Sequence, residues 1–284
     1  MHPAVVGLPL EEKGLVLAAL LARLPAETVR SRLPGAAGKR CAEAVQALQA
    51  EAKPVRASAM AALMALLRGS TPGGLEQVHE DWLRERLTAE TKGVVEATTA
   101  EMGPLLQRLG AEVLSERREQ PDAPAPLAAA GVTALRRAVF AGMVPLRGPG
   151  APAGELARSL VDLQTPALLE AIDRRGAETL GVSLRGAPGP VVARAAAGLD
   201  GPLGEVLLAW AGSDGPSAAR EEARAIVAAA VGTRPGDRVR DTGLRALAAA
   251  LAAEGSAATV AVAQRLPATL GRRLLEAANL AGVL

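Results

Sequence analysis

The 284-residue chain carries 32 Lys and Arg against 30 Asp and Glu, so its formal charge is only +2 although its isoelectric point lies near 9.1. A lone cysteine, Cys41, excludes an intramolecular disulfide framework and suits a reducing compartment. Only three aromatic residues occur, Trp82, Phe140 and Trp210, so burial rests on Leu, Val and Ala at about 25 cal/mol per Å² of apolar surface. The residues that build sheets are scarce, and an all-α protein is expected.

Residues 11–68 read as a first helical unit. Leu15, Leu17, Leu20, Leu21 and Leu24 give an apolar face ending at Pro25. Further helices are expected over 26–33, 39–52 and 55–68, with Pro34 and Pro54 at the corners. The GSTPGG stretch at 69–74 is a linker by composition. Trp82, Leu83 and Leu87 then share one helix, and Val94, Val95, Leu105, Leu106, Leu109 and Val113 lie on others. PDAPAP at 121–126 is a stiff linker, followed by a short helical stretch at 127–140 and a loose segment at 147–154. Three modules are expected: an N-terminal helical domain over 1–70, a middle region over 75–145 and a C-terminal domain over 154–284.

Within the last module, residues 184–211 (LRGAPGPVVARAAAGLDGPLGEVLLAWA) read as helix, stop, helix. Gly186 closes one helix, and Pro188 opens the next near its first turn, where a missing N–H costs nothing. Gly198 and Asp200 repeat the device, with the aspartate placed to accept free N–H groups of the following helix. Val191, Val192 and Ala195 fall on one face; Leu203, Val206, Leu207 and Trp210 fall on another. One internal echo is present: Arg23, Leu24, Pro25 and Ala26 recur as Arg265, Leu266, Pro267 and Ala268, with Arg30 and Leu33 matched by Arg272 and Leu275. A helix, LP corner and helix at both ends suggests stacked repeats of armadillo type.

Catalysis is not expected. His2 sits at the terminus and His79 beside a Gly-rich linker; Cys41 has no histidine near it in sequence, and no Cys/His cluster has metal-ligand spacing. No GxxxxGK[ST] phosphate loop occurs, and the GxG-like runs sit in Pro-rich linkers rather than after strands. No catalytic residue, cofactor or metal is therefore assigned. Basic residues form no stripe and have no aromatic partners, which argues against nucleic acid. Residues 1–10 do not read as a signal peptide, and no apolar run approaches the ~20 residues of a membrane span. A cytoplasmic protein without direct membrane insertion is expected.

Preceded by Ala167, Leu168, Leu169, Glu170, Ala171, Ile172 and Asp173, the 184–211 stretch resembles the C-terminal domain of the flagellar rotor switch family FliG. There a "LLREVD" helix is followed by "ALKGA", a short helix, "NMS" and a longer helix. Gly198, Leu199 and Asp200 stand at "NMS", and Gly215 and Pro216 at the "GP" that follows. The Leu24-Pro25-Ala26-Glu27 corner is similar to the family's N-terminal "LP.E.." cue; of the middle domain's "EHPQ" signature only Glu90 is kept.

The resemblance implies FliG-like, armadillo-like modules joined by Gly/Pro-rich linkers. It implies a non-catalytic scaffold on the cytosolic side of a membrane-embedded machine, self-associating into a ring and attached to a membrane-ring subunit. In the family, the longer helix carries charges facing the stator. Here Pro202 stands at its arginine, Ala209 and Trp210 at its acidic pair, and Ala218 at the arginine after "GP". Loss of that charged ridge points to a non-motile relative, such as a type III secretion-like apparatus. The alternative is a monomeric helical-repeat adaptor for protein partners. Trp210, Leu203, Trp82, Arg174 and Arg175 are the candidate interaction residues. For the tryptophans the competing expectation is core packing, and for the arginines a solvated helix face.

Overall fold

A computed structural model describes residues 2–33, 35–68, 73–90, 92–100, 102–116, 135–136, 138–140, 142–148, 150–232 and 234–284. Among these every regular element is helical: sixteen α-helices and one short 3-10 turn, Leu75–Gln77. The expected linkers at 69–74 (apart from Gly73 and Gly74) and 121–126, and most of the helical stretch at 127–140, lie outside the described residues. By its internal contacts the chain forms two compact units. The first comprises Met1–Glu76 and Glu80–Pro145, the second Gln77–His79 and Leu146–Leu284.

The first unit opens with α1 (Pro3–Val6), α2 (Leu10–Leu21), α3 (Ala26–Arg32), α4 (Gly35–Ala50) and α5 (Lys53–Arg68). Cys41, Val45 and Leu48 recur at one face of α4 and are fully buried against Val16, Leu17 and Leu20 of α2 and Leu63 of α5. α2 begins and ends earlier than the leucine pattern suggests. It stops at Leu21, because Arg23 adopts a left-handed φ of 54° and turns the chain. The Gln49 amide then donates to the Leu24 carbonyl at 2.8 Å, holding the corner against α4. Glu12, nearly buried on α2, accepts a fork from Arg40 on α4, one arm at 3.0 Å. His2, placed by sequence at a loose terminus, is engaged: Nδ1 accepts from the Ala4 amide and Nε2 meets Glu51, each at 3.3 Å.

A second helical group in this unit comprises α6 (Glu80–Thr88), α7 (Lys92–Thr99) and α8 (Pro104–Ser115). Trp82, Leu83 and Leu87 on α6, Val95 on α7 and Leu106, Leu109 and Val113 on α8 are buried. Gly110 leaves room for the Thr99 side chain, whose hydroxyl donates to the Val95 carbonyl at 2.8 Å. Arg108 bridges Glu80 at 2.7 Å and Glu112 at 3.1 Å, and Arg84 also pairs with Glu112, tying α6 to α8.

The second unit contains α9 (Glu155–Val161), α10 (Thr165–Ser183), α11 (Gly189–Ala197), α12 (Gly201–Ala211), α13 (Ser217–Ala229), α14 (Pro235–Ala252), α15 (Ser256–Arg265) and α16 (Ala268–Ala277). Its axis is α10, which packs on α12, α13 and α14. Small residues let the backbones meet. A side chain on Gly176 would overlap the Val239 carbonyl of α14, and one on Gly243 the Ile172 carbonyl of α10. Beside this crossing, Arg240 of α14 grips Asp173 of α10 with two bonds of 2.8 and 2.5 Å.

The two LP corners share one construction. Pro25 and Pro267 are each the residue immediately before a helix that begins at alanine. The arginines before them differ: Arg23 is exposed in the turn, whereas Arg265 ends α15 and is buried. The Arg265 guanidinium donates to the carbonyls of Gln77 and Leu163, and the His79 amide donates to the Gln264 carbonyl at 2.7 Å. By these bonds the three residues 77–79 join the second unit.

Candidate interaction cleft

The end of α10, the α12–α13 turn, α13 and α14 enclose an open cleft of about 520 Å³ in the second unit. Its geometry starts at Gly181. A Cβ there would lie 2.5 Å from the Leu207 carbonyl oxygen and 2.8 Å from the Trp210 Cβ, so only glycine lets α12 lie this close to α10. That approach sets Trp210 at the rim of the cleft. Arg185, just past α10, holds the turn from the other side: Nε donates to the Trp210 carbonyl at 3.2 Å and Nη2 to the Ser213 hydroxyl at 2.8 Å. Its guanidinium carbon lies 6.0 Å from the indole centroid, within cation–π range. Arg224 of α13 donates to the Ser183 carbonyl at 3.2 Å, satisfying one of the free carbonyls at the end of α10.

Several of the sequence-derived positions behave as expected and others do not. Gly186 has a φ of +76°, the left-handed stop expected after α10, and Pro188 directly precedes α11, with Pro190 inside the first turn. Gly198 stops α11 without the left-handed geometry, at φ −82°. Asp200 occupies the cap position of α12, but its side chain makes no capping bond, a correction to the expected device. α11 turns Ala196 inward and leaves Val191 half exposed, so its inner face is shifted from the expected Val191, Val192 and Ala195.

Leu203 is half buried; Trp210 retains 39% of its surface and Leu208 beside it 47%. Trp82, by contrast, is 3% exposed and belongs to the core of α6–α8, so it is corrected from interaction candidate to packing residue. Arg174 and Arg175 are exposed and both pair with Glu178, four and three residues on, at 3.4 Å, as a solvated helix face would.

Arg185 and Glu178 were not among the interaction residues expected from sequence. The i,i+4 spacing of Arg174 and Glu178 was the one local signal; the grip of Arg185 on the α12 terminus depends on a turn 25 residues away. No group of three or more His, Cys, Asp or Glu among the described residues is placed to hold a metal ion, and no described helix is long and apolar enough to cross a membrane. Comparison of the chain with protein-family models, curated proteins and solved structures gives no match.

Proposed function

We propose that this chain is a non-catalytic scaffold subunit, FliG-like in plan, that works through protein contacts on the cytosolic side of a membrane-embedded machine of the flagellar or type III secretion-like kind. Supporting this reading are two exposed apolar side chains that flank the buried face of α12. Leu208 and Trp210 stand exposed on either side of the buried Leu207, on a helix whose one charged residue is Glu205, and Trp210 stands where the resembling family has one of its acidic pair. A helix whose apolar surface spreads from its buried face onto both flanks exposes hydrocarbon to water, and such surface marks contact with another protein. Tryptophan is also prominent among residues that dominate interface energies. In this role the chain self-associates through its modules and attaches to a membrane-ring subunit.

Light scattering behind size exclusion, over roughly a hundredfold range of concentration, tests the proposal. Mass should rise with concentration in the native chain and stay monomeric in a Leu208→Ser, Trp210→Ser variant of unchanged helicity. A native chain that is monomeric throughout would replace the ring-forming scaffold by the solitary helical-repeat adaptor, a reading supported by the shared construction of the Pro25 and Pro267 corners.

A further inference from the structure

Of the thirteen residues of α13 only Ala223 is buried. Ala219, Ala223 and Ile226 look across the cleft toward Ala246, Ala249 and Ala250 of α14. Methyl groups facing methyl groups leave space that a close-packed interior would fill. A neighbouring hollow of about 250 Å³, walled by Leu156, Leu160 and Leu247, shares Arg175 and Ala250 with the cleft. The vacant surface therefore runs along α10, from Ala171 to Arg185, past one turn of α14, the shape of a groove for a helix rather than a pocket for a compact ligand.

The charges at the groove are unequally engaged. Arg175 is paired with Glu178, and Arg185 is bound to the Trp210 carbonyl and Ser213. Glu221 on the outer side of α13 is paired with Arg220 and Arg224. Asp214 and Glu222, both exposed at the rim, make no ion pair or hydrogen bond among the described residues. The surface thus offers alanine methyl groups at its floor and these two carboxylates without partners at its edge, while Arg185, hydrogen-bonded but not ion-paired among the described residues, is held against Trp210.

We propose that this groove docks an amphipathic helix of a partner protein, with its apolar face against the alanines of α13 and α14 and a Lys or Arg reaching Asp214 and Glu222. The inference rests on the scaffold reading and names the chemistry of one partner. Complementary charge selects this orientation and rejects an acidic helix.

The probe is a fluorescein-labelled synthetic amphipathic helix of Leu and Ala with a single Arg beside its apolar face, together with a twin in which Glu replaces that Arg. On the full chain the Arg peptide should bind saturably and roughly tenfold more tightly than its twin. Asp214→Asn with Glu222→Gln should erase the preference, and Ala249→Phe, which fills the groove from an exposed alanine, should remove binding of both. No binding, equal affinities, or a preference that survives the double substitution overturns the proposal. Mass measured on the same samples separates the two readings. Self-association with no charge-selective binding defeats the groove alone, whereas a constant monomer that prefers the Arg peptide defeats the ring and leaves the groove standing.

Discussion

A Cβ on Gly243 would overlap the Ile172 carbonyl oxygen and come within 3.1 Å of the Gly176 amide nitrogen; one on Gly176 would overlap Val239 in the same way. Both obstacles are backbone, which cannot rotate aside, so either Gly→Ala substitution must push α10 and α14 apart. We expect each to lower stability by roughly 1–3 kcal/mol, read as a reduced denaturation midpoint, with the double variant costing less than the sum because one separation relieves both. Ala at Gly236, where a Cβ would meet nothing, is the control.

Cys41 supports a second test at this scale. It is fully buried on α4, and burial pushes its thiol up to about 11, so little thiolate forms at neutral pH. Native protein should resist alkylation, and the rate should rise steeply in denaturant as the first unit opens. Rapid labelling of folded protein would mean that α4 separates readily from α2. The buried cysteine was legible from its place on an apolar helix face. The glycine pair was not, since a glycine in a helix declares its purpose only when the opposing backbone is known.

Between elements, tertiary partners often take the part that local sequence was expected to play. α9 has no capping side chain of its own; Glu254, 97 and 98 residues away, accepts the Ala157 and Leu156 amides at 2.9 Å each. Glu254→Ala should weaken α9 by about 1 kcal/mol, the ordinary worth of an N-cap, and speed amide exchange at Leu156 and Ala157 before that of α14. Asp200 looks like a cap in sequence and makes no capping bond, whereas Glu254 gives no local sign of being one.

The α2–α4 tie is titratable. The Arg40 guanidinium, bonded to Glu12, holds that carboxyl below the usual range. Since the folded value is depressed, this contribution is complete above the ordinary carboxylate value near ~4.3 and is lost as pH falls through the lowered one. Glu12→Gln should therefore flatten the decline of stability on the acid side, leaving the profile near neutrality parallel to that of the native chain. Helix type and approximate place were readable because proline corners and leucine spacing are local; the ends moved by several residues where a turn such as Arg23, or a distant partner such as Gln49, decided them.

At the scale of the whole chain, the all-α class followed from composition, but three modules read from linkers stand against two compact units, each built from two segments of the chain. Residues 77–79 belong to the second unit although about 65 residues of the first separate them from its remainder. No composition signal marks this excursion, because it depends on Arg265, whose buried guanidinium donates to Gln77 and Leu163 and whose Nε has no partner. Desolvation lowers the Arg265 pKa, which is the sign of a charge held away from water.

A fragment of residues 146–284 lacks Gln77 and so leaves Arg265 with one backbone acceptor fewer in a buried position. Leaving a buried donor unpaired costs roughly 1–3 kcal/mol, so the fragment should unfold at lower denaturant than the same unit in the full chain, as followed by Trp210 fluorescence in a Trp82→Phe background. Loss of the rest of the 77–79 segment would also destabilise the fragment, and a double cycle separates the causes. Arg265→Met should cost more in the full chain, where it breaks the bond to Gln77, than in the fragment, where that bond is already gone. Equal costs in the two contexts would show that the arginine bond contributes nothing to holding residues 77–79.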